Sequence, residues 1–122
     1  MGLIYADIEL INAGDLEDVR KFRLGYEEVR RMHVEMLVDT GAYMLCINEN
    51  IVKQLDLPIV EKRTGILANG QIMEYDVASQ VEVRFKNRRT ICNAMVLPGD
   101  NEPLLGAIPM EDMPVRLPFM IK

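Results

Sequence analysis

The sequence contains no tryptophan, only four tyrosines and three phenylalanines, one histidine and two cysteines. With so few rings, the apolar mass must come from Val, Ile, Leu and nine methionines, which suits a core of aliphatic strands. Cys46 and Cys92 belong to no C-x-x-C pair, which excludes a zinc finger and a disulfide framework. They read as buried, reduced thiols; a single bridge between them depends on where the fold puts them. His33 has no partners at ligand spacing, so neither a metal site nor a Ser-His-Asp or Cys-His arrangement can be assembled on it, and it reads as a surface or edge residue. No cofactor is expected. Positive charge is also scarce: a net charge of -5 excludes a general nucleic-acid binder, which needs clustered Lys and Arg against phosphate. The short runs Arg30-Arg31 and Lys86-Asn87-Arg88-Arg89 read as solvated turns or strand edges. No apolar run reaches the length of a membrane span, the first residues lack the basic-then-apolar order of a signal segment, and Ala6 stands where a myristoylation motif wants Ser or Thr. The expectation is a cytoplasmic protein with no membrane partner.

What is present is patterned. The 122 residues are 49% hydrophobic and 27% charged, enough for one domain with one core over residues 1–122. Ile4, Ala6, Ile8 and Leu10 alternate with Tyr5, Asp7 and Glu9 as in a half-buried strand. Between Leu16 and Arg31 the pattern is mixed: Leu16, Val19 and Phe22 suit a short amphipathic helix, whereas Arg20, Phe22 and Leu24 would equally suit a strand, and residues 15–31 are treated as a charged insertion. From Met32 the period of two returns and ends in the apolar run Met36-Leu37-Val38, a buried strand that delivers Asp39. Met44-Leu45-Cys46-Ile47 is a second apolar strand. Asn48 should cap a short helix with Ile51 and Leu55 on one face and Pro58 as its stop. Gly65-Ile66-Leu67 and Gln71-Ile72-Met73 flank Asn69-Gly70, the dipeptide of a tight type I′ turn. A second hairpin turns about Lys86-Asn87-Arg88, residues 98–103 form a loop, Leu104-Leu105-Gly106 a short buried segment, and Ala107 to Met113 a helical turn. Short strands, close turns and brief helices predict a mostly-β closed or sandwiched sheet.

Val38-Asp39-Thr40-Gly41-Ala42 is where chemistry could sit. Two carboxylates held close cannot both ionise freely, so one stays charged and can take a proton from water while the other keeps a proton to donate. Such a pair needs a tight turn. Gly41 would let a facing backbone approach, and the Thr40 hydroxyl could lock the two turns together. Glu27-Glu28 and Glu111-Asp112 are adjacent in sequence, point apart and read as solvated faces.

Leu37-Val38-Asp39-Thr40-Gly41-Ala42, the tip Ala68-Asn69-Gly70, and Leu104-Leu105-Gly106-Ala107 occur in that order. Together they resemble the retropepsin family of aspartic proteases and its bacterial single-domain relatives, from about Met32 to Met113. The resemblance implies a closed acid-protease-type barrel that dimerises, with Asp39 as the catalytic aspartate. It further implies that the Thr40 hydroxyl crosses to the partner's loop, that the Gly41 backbone meets substrate, that Ala68, Asn69 and Gly70 form the tip of a flap, and that Leu104, Leu105 and Gly106 support the active-site loop. Because the chain carries one Asp-Thr-Gly, the second carboxylate must come from another copy, which makes a homodimer a mechanistic requirement; its substrate would be an extended peptide or unfolded protein. Two features depart from the family's pattern. Tyr43 follows Ala42 where relatives carry Asp, Ser or Thr, and Pro114 and Pro118 fall where a terminal dimer strand would run, although proline cannot donate to a central ladder. They keep open an alternative, a peptide-binding or dimerisation module of the same fold without turnover.

Overall fold

The computed structural model describes residues 3–39, 44–66, 69–107 and 109. Thr40, Gly41, Ala42, Tyr43, Ala68 and the segment with Pro114 and Pro118 lie outside the described residues. In chain order the elements are β1 (Tyr5–Asn12), α1 (Ala13–Arg20), a 3-10 turn (Tyr26–Glu28), β2 (Arg31–Val38), β3 (Leu45–Asn48), α2 (Glu49–Leu55), β4 (Ile59–Ile66), β5 (Ile72–Phe85), β6 (Arg88–Leu97) and β7 (Leu104–Leu105). The fold is mostly β, as the composition predicts.

One seven-stranded sheet runs β1-β2-β7-β3-β6-β5-β4, and β1 also pairs with β5. Six strands therefore close into a ring and β4 hangs from β5 outside it. Alternation sets the inside: Ala6, Ile8 and Leu10 of β1 are buried, and Ile8, Leu10, Met36, Leu45, Ile47, Val81, Val83 and Leu105 form the centre of the core. β3 is buried on both sides, as its unbroken apolar run requires. α2 follows the expected pattern: the Asn48 Oδ1 accepts from the Ile51 amide at 3.0 Å, and Ile51 and Leu55 face the core.

β5 serves three partners, β4, β6 and, through Val81 to Arg84, β1, and it is kinked. Its outer half pairs with β4, and Val77, Ala78 and Val81 to Phe85 pair with β6, with a register shift between Ala78 and Val81. Gln80 takes φ 63° at the shift, and the Ser79 amide turns away to the Pro58 carbonyl at 3.0 Å. The β4–β5 hairpin thus springs from a bulge at the ring's rim. Its tip differs from the sequence expectation. The ladder Gly65↔Met73, Ile66↔Ile72 is centred on Asn69, a parity that a two-residue Asn69-Gly70 turn cannot satisfy. In the described part of the tip the Asn69 Oδ1 accepts from the Gln71 amide at 2.9 Å and Gly70 holds φ 88°. The second hairpin is a two-residue turn, Lys86-Asn87, between Phe85 and Arg88.

The charged stretch 15–31 is a packed corner rather than an excursion. α1 begins three residues before Leu16 because the Asn12 Oδ1 caps it, accepting from the Asp15 amide at 3.0 Å. The same side chain donates to the Leu55 carbonyl at 2.8 Å and so ties this corner to α2. Asp15, buried, receives the Arg30 backbone amide at 2.9 Å and the Arg30 guanidinium at 3.0 Å, and that guanidinium also reaches Asp56 at 3.0 Å. Arg31 lies over the Tyr26 ring at 4.8 Å and meets Glu9 at 3.6 Å. The Arg30-Arg31 pair is therefore structural, while Lys86 to Arg89 are exposed as expected.

Burial alone would raise the Asp15 carboxyl; the hydrogen bonds and charge of Arg30 outweigh it and hold it below the ordinary carboxylate range. A depressed folded-state pKa contributes stability that is present above the unfolded value, near 4, and lost as pH falls through the folded value. Asp15→Asn should flatten the acid limb of a plot of Tm against pH. An unaltered acid limb would assign that limb to other groups.

α1 ends unusually. Phe22 N bonds to Val19 O at 3.1 Å and Arg23 N to Asp18 O at 2.8 Å, the double closure that glycine normally completes, yet the left-handed position is filled by Phe22 at φ 61°, 96% exposed. A ring in solvent offsets none of that strain. Phe22→Gly should raise stability by up to about 1 kcal/mol in urea unfolding; a loss would mean that Phe22 makes a contact in the folded protein.

Candidate active site

Asp39 leaves the end of β2, and the hydrogen bonds of that end alternate between two neighbours. Val38 N donates to the Ile4 carbonyl at 2.8 Å, continuing the β1 ladder, whereas Leu37 N and Asp39 N donate to the Pro103 and Leu105 carbonyls at 3.2 and 3.1 Å. β7 lies parallel to β2 on one side, Leu37↔Leu104 and Val38↔Leu105, and antiparallel to β3 on the other, Cys46↔Leu104. Among the described residues, β2 and β3 do not pair with each other; β2 is fastened to Leu104 and Leu105 of β7, and β3 to Leu104. Leu105 and Gly106 are buried and Leu104 half-buried, so the short apolar segment read from sequence fills the space between β2 and β3. Asp39 itself is half-buried.

Cys46 sits beside this turn. Its thiol lies 3.7 Å from the Met44 carbonyl and 3.8 Å from the Met95 sulfur, and its pKa is pushed up to about 11, first by burial and then by the negative charge of Asp39. A thiol so raised stays protonated near neutrality and is no nucleophile. Neither Cys46 nor Cys92 is in a disulfide. Cys46 stands opposite Met95 in the ladder, whereas Cys92 is in step with Ala94 and packs against the core. The alternation of β6 sends the two thiols to opposite faces, which excludes a bridge between them.

Where the chain emerges from the turn, a concavity of about 440 Å³ opens between Met44 and Leu45 on one wall, Arg63 and Tyr75 of the β4–β5 hairpin on another, and Cys92, Asn93 and Pro109 beyond. Arg63 is held by Glu61, at 2.9 and 2.7 Å to one carboxylate oxygen, and pairs across the hairpin with Tyr75. The Tyr75 ring leans over Gly65, where an added Cβ would meet it at 3.4 Å. Sequence reading passed over these lining residues. Arg63 and Tyr75 share the alternation that set the hairpin's faces, and that is the signal that could have marked them. Asn69 and Gly70 are exposed at the hairpin tip.

His33 is exposed on β2, 3.7 Å from Asp7, as a surface residue. Glu27 and Glu28 are exposed in the 3-10 turn, and the Glu28 carboxylate accepts from the Gly25 amide at 2.8 Å. Glu111 and Asp112 lie outside the described residues. No helix among the described residues is long and apolar enough to cross a membrane.

The turn, its two-sided fastening and the hairpin all fall within residues 28–108, which match the model of a family described as gag-polyprotein putative aspartyl protease. The chain belongs to that family. It is a retropepsin-like aspartyl protease domain over about two-thirds of its length. The match begins at Glu28, so β1 and α1 of this aspartyl protease-like protein lie outside it, as does most of the charged stretch 15–31. No curated protein matches the chain.

Proposed function

We propose that this protein is an aspartic endopeptidase that works as a homodimer, each subunit supplying one Asp39 to a shared pair and the ring serving as an acid-protease-type barrel. The observation that carries the reading is the fastening of the Asp39 turn from both sides by β7, in a chain of the aspartyl protease family. A backbone fixed in this way can present a carboxylate with the precision that proton transfer demands.

In the proposed reaction the charged aspartate takes a proton from water while the water oxygen attacks the peptide carbonyl. Its neighbour gives its proton to the carbonyl oxygen. As the gem-diol collapses and the C–N bond breaks, the first carboxyl gives its proton to the departing nitrogen and the second takes one from a gem-diol hydroxyl, so both carboxyls regain their starting states. Thr40 and Gly41 would join and line the paired turns. The β4–β5 hairpin is assigned as the flap, with Asn69 and Gly70 at its tip, and Leu104, Leu105 and Gly106 as the support. Peptide would lie extended beneath it, held by main-chain hydrogen bonds, with one side chain entering the concavity at Met44 and Tyr75. Cys46 and Cys92, outside any disulfide, suit a reducing compartment, and we place the protein in the cytoplasm.

The test is cleavage of a mixed-sequence peptide library across pH, with and without a statine-type inhibitor, alongside sedimentation at micromolar concentration. Inhibitable cleavage by a dimer is expected. A strict monomer, or a dimer that binds peptide without cutting it, would sink the proposal; the second outcome would point to the module without turnover.

A further inference from the structure

The concavity of about 440 Å³ where the chain leaves the Asp39 turn has apolar walls at Met44, Leu45 and Pro109, and among the described residues that line it Arg63 is the sole charged side chain. Glu61 holds that guanidinium through Nε and Nη2, at 2.9 and 2.7 Å, which leaves Nη1 outside the pair. The same arrangement occurs, completed, at Arg30. There Nε and Nη2 hold Asp15 at 3.0 and 3.1 Å while Nη1 binds a second carboxylate, Asp56, at 3.0 Å. The two side chains are alike in exposure, 45% for Arg30 and 46% for Arg63. An arginine engaged by one acid can thus accept another, because its planar fork presents separate edges.

We infer that Arg63 sets substrate choice: an acidic side chain, aspartate or glutamate, enters the concavity and binds the edge of the guanidinium that Glu61 leaves. The inference rests on the protease reading above and names the class of peptide it acts on. The surroundings of Arg63 favour an acid over other ligand chemistry. Tyr75, directly opposite Arg63 in the ladder, and Asn93 add a hydroxyl and an amide to the lining, both able to donate to a carboxylate. Met44, Leu45 and Pro109 can take the methylenes that carry it. Glu61 acts as a positioning residue, since a solvent-exposed pair of this kind fixes the fork at little energetic consequence. On the hairpin's other face the cation is already engaged, Lys62 being held by Asp76 at 2.8 Å. The net charge of -5 opposes acidic peptides as a whole, so a preference at one position has to come from a local cation.

The experiment uses peptides in pairs that differ by Glu against Gln at each position in turn. Cleavage is measured as kcat/KM with wild type, and affinity with Asp39→Asn, which reads binding without turnover. Above the glutamate pKa, about 4.3, wild type should favour Glu at one position by about 10-fold, the size of one charge-assisted hydrogen bond. Arg63→Gln should abolish that ratio, and Arg63→Glu should turn the preference to Lys. Lys62→Gln, which removes a cation from the hairpin's other face, should leave the ratio as in wild type, and circular dichroism confirms that each variant is folded. Equal handling of Glu and Gln, a ratio that survives Arg63→Gln, or one lost equally with Lys62→Gln would overturn the inference while leaving the protease reading standing. A Glu preference in binding, lost when Arg63→Gln is added to Asp39→Asn, without cleavage by wild type, would keep the subsite and remove the protease. Peptides neither cut nor bound would remove both.

Discussion

Asp39→Asn is expected to fold, to associate like wild type, and to lose peptide hydrolysis by about 10²- to 10⁴-fold, the range associated with removing a positioned general acid or base. The amide side chain keeps the size and polarity of the carboxylate but can neither take the proton of water nor give one to the carbonyl oxygen. Because both subunits carry the change, no intact pair forms at any concentration. Mixing wild-type and Asp39→Asn chains should lower activity beyond simple dilution, since a mixed dimer holds one carboxylate. Cleavage that persists in a purified Asp39→Asn preparation would move the chemistry to other groups. Activity that falls only in proportion to dilution in the mixing experiment would argue that a single subunit suffices.

Leu105→Ala should be the most damaging substitution near the site that touches no reacting group. Leu105 is fully buried between the strands that hold the turn, and truncating such a leucine costs about 2–5 kcal/mol in transfer and cavity terms. In a domain of this size that lowers Tm by roughly 10 °C or more. The Leu105 carbonyl also accepts from the Asp39 amide, so a shift of β7 moves the aspartate. Activity measured where the variant is still fully folded should fall as well, and Leu105→Met, which conserves volume, should recover most of both losses. A folded Leu105→Ala protein with wild-type turnover would show that β7 stabilises the ring without setting the turn.

Much of this was legible in the sequence. The alternation from Met32 to Val38 gave β2 and put Asp39 at its end, Asn48 gave the start of α2, and Leu104-Leu105-Gly106 was recognisable as a short buried segment. These are local signals, written in periods of two or in single capping side chains. What escaped the sequence was relational. The Asn69-Gly70 dipeptide announced a tight turn, but the register imposed by the longer ladder prevailed over local preference. The 15–31 stretch looked like an insertion because its charges pair over distances that local pattern does not reach: Asp15 with Arg30 at the other end of the stretch, and Arg30 in turn with Asp56. The wall formed by Arg63 and Tyr75 against Met44 depends on the bulge at Ser79 and Gln80, which no residue type advertises. Periodicity also cannot show that Cys46 and Cys92 fall on opposite faces until their strands are placed in register.

The fastening of the Asp39 turn has a temporal side. The two residues that hold it lie more than half the chain downstream of the aspartate, and they complete the ring by inserting between β2 and β3, strands that are neighbours in sequence. Contacts of such long separation form late and slowly. As a chain leaves the ribosome, β1, β2 and the β4–β5 hairpin are made before β7, so the hydrogen bond from the Asp39 amide to the Leu105 carbonyl can close only when Leu105 arrives. The order of synthesis thus puts the closing of the ring after the making of its other strands.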